Sequence, residues 1–202
     1  MSALQELLQV SAAFHQHLCP RQVLGVRMGL LAGRWLGLDV PRRDRRLLAF
    51  VETDGCAADG VSAATGCWVG RRTLRVIDFG KVAATFVDTQ TGCAVRIVPA
   101  PDSRTRAWAY APDAQNTWQA NLIGYQHMPD EELFVAQPVV LTIDLEKLLS
   151  KPGYRINCEA CGEEIINERE VIREGVVLCR SCAGERYFRL VTEGVTARIE
   201  AG

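Results

Sequence analysis

Two cysteine pairs near the C-terminus limit what this chain can fold into more than any other feature. Cys158-Glu159-Ala160-Cys161 is followed, after 17 intervening residues, by Cys179-Arg180-Ser181-Cys182. Paired C-x-x-C knuckles at this separation match a four-thiolate structural zinc site. Four thiolates complete a tetrahedral shell, so zinc held there keeps no open position for catalysis. Gly162, Gly175 and Gly184 supply the turns that the knuckles need. A module below about 50 residues buries too little apolar surface to fold unaided, and the metal staples it. Disulfides are the competing reading of the same spacing. Residues 2–10 carry Glu6 and lack both a basic start and a continuous apolar run, so no signal peptide is expected. The eight cysteines are then expected in a reducing cytoplasm, as ligands or thiols. Ser150-Lys151-Pro152-Gly153 has linker composition, which places the expected domains at 1–150 and 154–202.

The larger segment has ample apolar content, 48% hydrophobic over the 202-residue chain, for a core of its own. A net charge of −1 gives no overall field toward nucleic acid or a membrane surface. The longest apolar run, Leu24 to Leu38, is interrupted by Arg27 and Arg34, so no membrane span is expected. Pro41-Arg42-Arg43-Asp44-Arg45-Arg46 is a basic turn without interleaved aromatics, which reads as solvated more readily than as a phosphate patch. Between Cys158 and Glu185 the finger holds seven glutamates against Arg169, Arg173 and Arg180, a balance that opposes nucleic acid and favours a protein partner.

Leu4, Leu7 and Leu8 predict a short amphipathic helix over 3–13. A second helix is expected from Pro20 to Leu36. Gly25, Gly29 and Gly33 recur along it at every fourth position, with Gly37 at its end. Each helical glycine costs roughly 0.8–1 kcal/mol against alanine, so such a ridge implies close approach of another backbone. Leu47 to Thr53 reads as a buried strand and Ala57 to Ala64 as a short helix. Leu74–Asp78, Val82–Asp88 and Cys93–Val98 read as an antiparallel meander with Cys93 in the core. The region holding Trp108 and Trp118 is expected to be helical in part, Met128–Phe134 opens a further helix, and Val139–Leu145 is a last strand. The expected class is α+β, an antiparallel sheet with packed helices followed by a small zinc-ribbon or treble-clef-like domain.

Phe14-His15-Gln16-His17-Leu18-Cys19-Pro20 puts two of the three histidines and a cysteine within five positions. Pro20 is well placed at a first helical position, which sets Cys19 at the helix N-terminus. There the unpaired N–H groups and the dipole favour thiolate. Asp54-Gly55-Cys56-Ala57-Ala58-Asp59 repeats the arrangement, with Cys56 at the start of a helix that follows a strand. If the two helix starts converge, His17, Cys19 and Cys56 form a second metal site, with His15, Asp59 and Cys67 in direct or supporting roles. Three protein ligands would hold a second divalent transition metal and leave a position open for water or substrate. Without a cation, two adjacent thiolates repel and at least one thiol pKa rises. A metal-dependent enzyme would also need a general base, for which Asp59 or Glu52 is available. An inert cluster of buried thiols is the alternative.

These motifs are similar to those of the FmdE family, named for a component of formylmethanofuran dehydrogenase. The resemblance rests on residues 14–20 with Gly25, on 54–59, on Thr65-Gly66-Cys67 with Gly70 and Leu74, on Gly80-Lys81, on Thr91-Gly92 with Arg96, and on the four-cysteine finger. It implies an α+β core with an added zinc finger, frequent pairing as homodimers, and association with molybdenum or tungsten formylmethanofuran dehydrogenase. An accessory or maturation factor with a client metalloenzyme is the function so implied. A metal-dependent enzyme and a zinc-finger regulatory module remain open beside it. Gln16 and Arg21 stand where the family usually has glycine, and Ser62 where it usually has glutamine. Arg21, one turn from Cys19, adds positive charge beside the expected site. The glycine ridge and the tryptophan-bearing region give independent motives for self-association.

Overall fold

The structure, a computed structural model, describes residues 2–149 and 153–189, with the His15 side chain excepted. Ser150, Lys151 and Pro152 of the expected linker, and the last 13 positions of the expected second domain, 190–202, lie outside the described residues. The chain divides into two units, Met1–Thr142 and Ile143–Gly202, so the break precedes the linker composition at 150–153.

In the first unit, helix α1 (Ala3–His15) starts at Ser2, whose side chain accepts from the Gln5 N–H. Helix α2 (Pro20–Leu36) has Cys19 as its N-cap and ends at Gly37. Helix α3 (Cys56–Thr65) crosses α2 at the glycine ridge. A Cβ on Gly25 would lie 2.2 Å from the Ala57 carbonyl oxygen, and one on Gly60 would lie 2.4 Å from that of Gln22. A Cβ on Gly29 would meet the Ala64 side chain at 2.6 Å. The ridge is therefore filled from within the chain, by α3, and the cost of helical glycine is offset by that contact.

The sheet is built from β1 (Leu47–Val51), β2 (Leu74–Val76), β3 (Ala84–Asp88), β4 (Ala94–Pro99) and β5 (Phe134–Val139), in the order β2-β1-β3-β4-β5. Only β1 and β2 pair in parallel; the other neighbours are antiparallel. This corrects the three-strand meander. Strand β1 is buried at every position and inserts between β2 and β3. Residues 77–81 pass along its end, where Ile77 donates to the Val51 carbonyl and Phe79 and Lys81 donate to that of Glu52. An all-apolar strand is stable only with neighbours on both edges and layers on both faces, and the local sequence of β2 and β3 does not carry that demand. The last strand is Phe134–Val139 rather than Val139–Leu145, and Val140 is exposed. Cys93 is exposed at the β3–β4 turn instead of buried.

The segment from β4 to β5 returns over the start of α2 as α4 (Ser103–Arg106), a short 3-10 turn, α5 (Thr117–His127) and α6 (Asp130–Leu133). Arg27 fastens it. Its guanidinium donates to the Tyr125 carbonyl at 2.8 Å, to that of Met128, and to Asp130, which Arg34 also pairs. Two arginines of the basic turn are engaged within the fold as well. Arg42 pairs with Asp44, and Arg46 grips buried Asp88 bidentately at 2.9 and 2.8 Å. The Arg46 guanidinium holds the Asp88 carboxyl down to about 2.

Candidate functional site

The finger builds from two hairpins. Strand β6 (Arg155–Asn157) pairs β7 (Glu164–Ile166), and β8 (Val171–Arg173) pairs β9 (Val176–Leu178). Cys158 leaves β6 and Cys179 leaves β9. Cys161 lies in the first turn and Cys182 in a helical turn over Ser181–Glu185. Gly162, Gly175 and Gly184 all take positive φ, as the turns require. One ligand atom from each cysteine lies within 4.8 Å of the others, with Cys161 and Cys179 sulfurs 3.9 Å apart. Backbone N–H groups of Cys179 and Cys182 point at the sulfurs of Cys158 and Cys179, at 3.2 and 3.3 Å.

Such N–H to sulfur bonds favour thiolate. The Cys179 N–H, with those of Cys161 and Ala160, brings Cys158 down to about 6 against the cost of burial. Cys161, despite the Glu163 N–H, is pushed up to about 12 by burial and by the neighbouring sulfurs. Four crowded thiols splitting apart in this way want a cation between them. The four residues fit zinc in a closed, structural shell.

In the first unit, the Gly25–Gly60 crossing brings together the starts of α2 and α3, and with them Cys19 and Cys56. Gln22, fully buried, fixes the first start. Its Oε1 accepts from the Cys19 N–H at 2.8 Å and its Nε2 donates to the Ser11 carbonyl of α1 at 2.8 Å. Gly55 takes φ +87°, a turn that frees Cys56 to open α3 directly after the strand end. Both thiols line one cavity of about 670 Å³. Burial, then the neighbouring Cys19 side chain, pushes the Cys56 thiol up. The helix N-terminus alone predicts the opposite direction for Cys56. Desolvation and the second sulfur outweigh the dipole.

The other sequence-derived candidates separate. Asp59 sits half-buried in the first turn of α3, where its charge adds slightly to the rise of Cys56. His17 is exposed in the turn between α1 and α2, outside the cavity lining. His15 ends α1. Cys67 is buried in the core, its thiol donating to the Leu47 carbonyl at 3.3 Å and pushed up by burial. Glu52 is locked by Arg96 at 2.6 and 2.7 Å, which holds its carboxyl below the usual range, so it is spoken for as a structural ion pair. Among the described residues, the finger is the only group of three or more His, Cys, Asp or Glu with ligand atoms clustered closely enough for a metal.

Sequence reasoning missed the opposite wall of the cavity. It comes from the end of β4, from α4 and from α5: Pro99, Pro101, Arg104, Trp118, Asn121 and Tyr125. No local pattern marks these residues. The only signal was the Pro99-Ala100-Pro101 break, which read as a chain interruption and is in fact where the chain turns over the thiols.

The fold and sites define an α+β unit with a thiol-lined cavity, joined in one chain to a four-cysteine zinc finger. Residues 14–135 match the FmdE family, described as "Molybdenum formylmethanofuran dehydrogenase operon", and residues 152–188 match the prokaryotic DksA/TraR C4-type zinc finger. The chain belongs to the FmdE family. A curated relative from Archaeoglobus fulgidus, named "Probable S-adenosyl-L-methionine-binding protein", is 31% identical over 96% of this chain. The chain spans 57% of that relative's length. A crystal structure of an FmdE-like protein of tungsten formylmethanofuran dehydrogenase from Syntrophus aciditrophicus shares the fold at a TM-score of 0.59. Its identity is 21%, over 92% of this chain and 95% of that one. Among the described residues, no helix is long and apolar enough to cross a membrane.

Proposed function

We propose that this FmdE-family protein is a metal-binding accessory factor of the cytoplasm, acting in assembly or maturation of a molybdenum or tungsten enzyme such as formylmethanofuran dehydrogenase. One observation carries the reading: Cys19 and Cys56, 37 positions apart in the sequence, meet in one cavity at two helix starts. A soft cation between them would relieve the repulsion of paired thiolates and return the Cys56 proton to solvent. His17, two residues before Cys19, and His15 on the same turn are the imidazoles within reach along the chain. With a third ligand from them, the ion would keep a position open, and it would supply a transferable or Lewis-acidic centre. The finger, closed by four thiolates, serves structure and a protein client.

Metal content separates this reading from an inert thiol pair. After equilibration with zinc and desalting, wild type is expected to carry more than one ion per chain. Cys56→Ala and His17→Ala are expected to fall to the single ion of the finger. One ion in all three proteins would remove the core site and leave a zinc-stapled interaction module.

Self-association belongs to the same proposal. Because Gly25 and Gly29 are filled by α3, the glycine ridge no longer supports it. Support comes instead from the exposed apolar Trp108 and Ile123, together with the homodimers that the family resemblance implies. Sedimentation at micromolar concentration is expected to give a dimer, and a monomer across a dilution series would reject it.

A further inference from the structure

We propose that the cavity of the first unit binds the phosphate monoester of a flat heteroaromatic compound, a mononucleotide-sized dianion. The inference is independent of whether a metal sits on the thiols. Charge is the first ground. Arg21 and Arg104 line the cavity, and no aspartate or glutamate does. Among the described residues neither guanidinium has an ion-pair partner. The nearest acids in sequence to Arg104 and on the α6 side are taken: Asp102 by Arg106 at 2.6 Å, and Asp130 by Arg27 and Arg34. The starts of α2 and α3 add two positive dipole ends, and helices of 17 and 10 residues have dipoles long enough to matter. Two guanidinium groups and two helix starts match a dianion better than the single charge of a carboxylate.

A buried polar atom is the second, separate ground. Asn121 lines the cavity and is 6% exposed, yet its Oδ1 has no hydrogen-bond partner. A buried acceptor left unpaired is costly, and a ring N–H or exocyclic amine entering the cavity would satisfy it. The third ground is shape. A volume of about 670 Å³ falls in the range of small-molecule sites. Leu24, Val82 and Pro99 form apolar wall, and Trp118, 52% exposed, offers a ring face for stacking. A sulfonium or other cation finds no carboxylate here, so the cavity selects against S-adenosylmethionine.

Isothermal titration of the full-length zinc-loaded protein tests the proposal with four probes: AMP, adenosine, inorganic phosphate and S-adenosylmethionine. AMP is expected to bind at micromolar concentration, with each of the others at least about tenfold weaker. Arg21→Ala and Arg104→Ala are each expected to weaken AMP by about tenfold, with unchanged circular dichroism. Asn121→Ala is expected to weaken adenosine and AMP by the same factor while leaving phosphate unaffected. Equal binding of AMP and adenosine, tighter binding of S-adenosylmethionine, no AMP binding up to millimolar concentration, or AMP affinity unchanged in both folded arginine variants would each overturn it.

Discussion

Stripping zinc from the purified protein is expected to unfold residues 155–185 and leave the first unit folded. The reason is how little else holds the finger. Its strands are three residues each, paired only as two isolated hairpins. Two-stranded hairpins of that length are marginal in water. Among the described residues of this unit, Cys158, Ile165 and Ala183 are the only buried apolar side chains, and Cys158 is itself a ligand. Binding of structural zinc contributes roughly 10–16 kcal/mol in apparent terms, which exceeds anything three small buried groups supply. The first unit draws its stability from the continuous core around Val23, Val26, Phe86 and Ile97, with no metal required. Chelation followed by limited proteolysis and mass spectrometry reads the two units separately. Rapid cleavage within 155–185 and survival of a fragment ending near 142 are the expected pattern. Cys179→Ser is expected to reproduce it without chelator. A finger that stays protected without metal would contradict the account.

Gly25→Ala and Gly60→Ala are expected to be the most damaging single substitutions in the first unit. An added Cβ at Gly25 would stand 2.2 Å from the Ala57 carbonyl oxygen and 2.9 Å from the Val61 nitrogen. At Gly60 it would stand 2.4 Å from the Gln22 carbonyl oxygen and 2.8 Å from the Val26 nitrogen. Every one of these atoms is backbone, so no rotamer change makes room. Overpacking costs about 1–3 kcal/mol where side chains yield. Here two helices must part, and the cost lies at or beyond the top of that range. The helix-propensity gain of about 0.8–1 kcal/mol on replacing glycine offsets only a fraction. For a chain of this size that corresponds to a fall in Tm of roughly 6 °C or more. Gly70→Ala is the control, since nothing lies within 4 Å of its added Cβ. Because the crossing also sets the distance between Cys19 and Cys56, the same variants should lose any core metal. A Gly25→Ala protein melting with wild type would show that the helices do not meet as described.

The readings that succeeded are those carried by neighbours in sequence. Two C-x-x-C pairs announce the finger because each knuckle closes over four residues, and Pro20 after Cys19 announces a helix start because its ring already holds a helical φ. Strand β1 was legible as buried, since Leu47 to Val51 is an unbroken apolar run. Its partners were not. The strand places itself between β2 and β3, and nothing within residues 74–88 encodes that pairing. Cys93 misled for a related reason: a cysteine beside an apolar strand reads as core, and only the position of the β3–β4 turn leaves it in solvent.

By itself, then, the sequence determined the family, the α+β class, the zinc finger and the two helix starts that carry Cys19 and Cys56. Each depends on spacing or backbone preference within a few residues, where chain connectivity does most of the ordering. Only the tertiary structure decided that Gly25 and Gly60 join those helix starts, that the Cys56 thiol rises instead of falling, and that Arg104, Trp118 and Asn121 close a cavity over the pair. Those outcomes are set by burial and by contacts between segments tens of residues apart. Desolvation, packing clearance and unpaired polar atoms exist only once the distant segments have met.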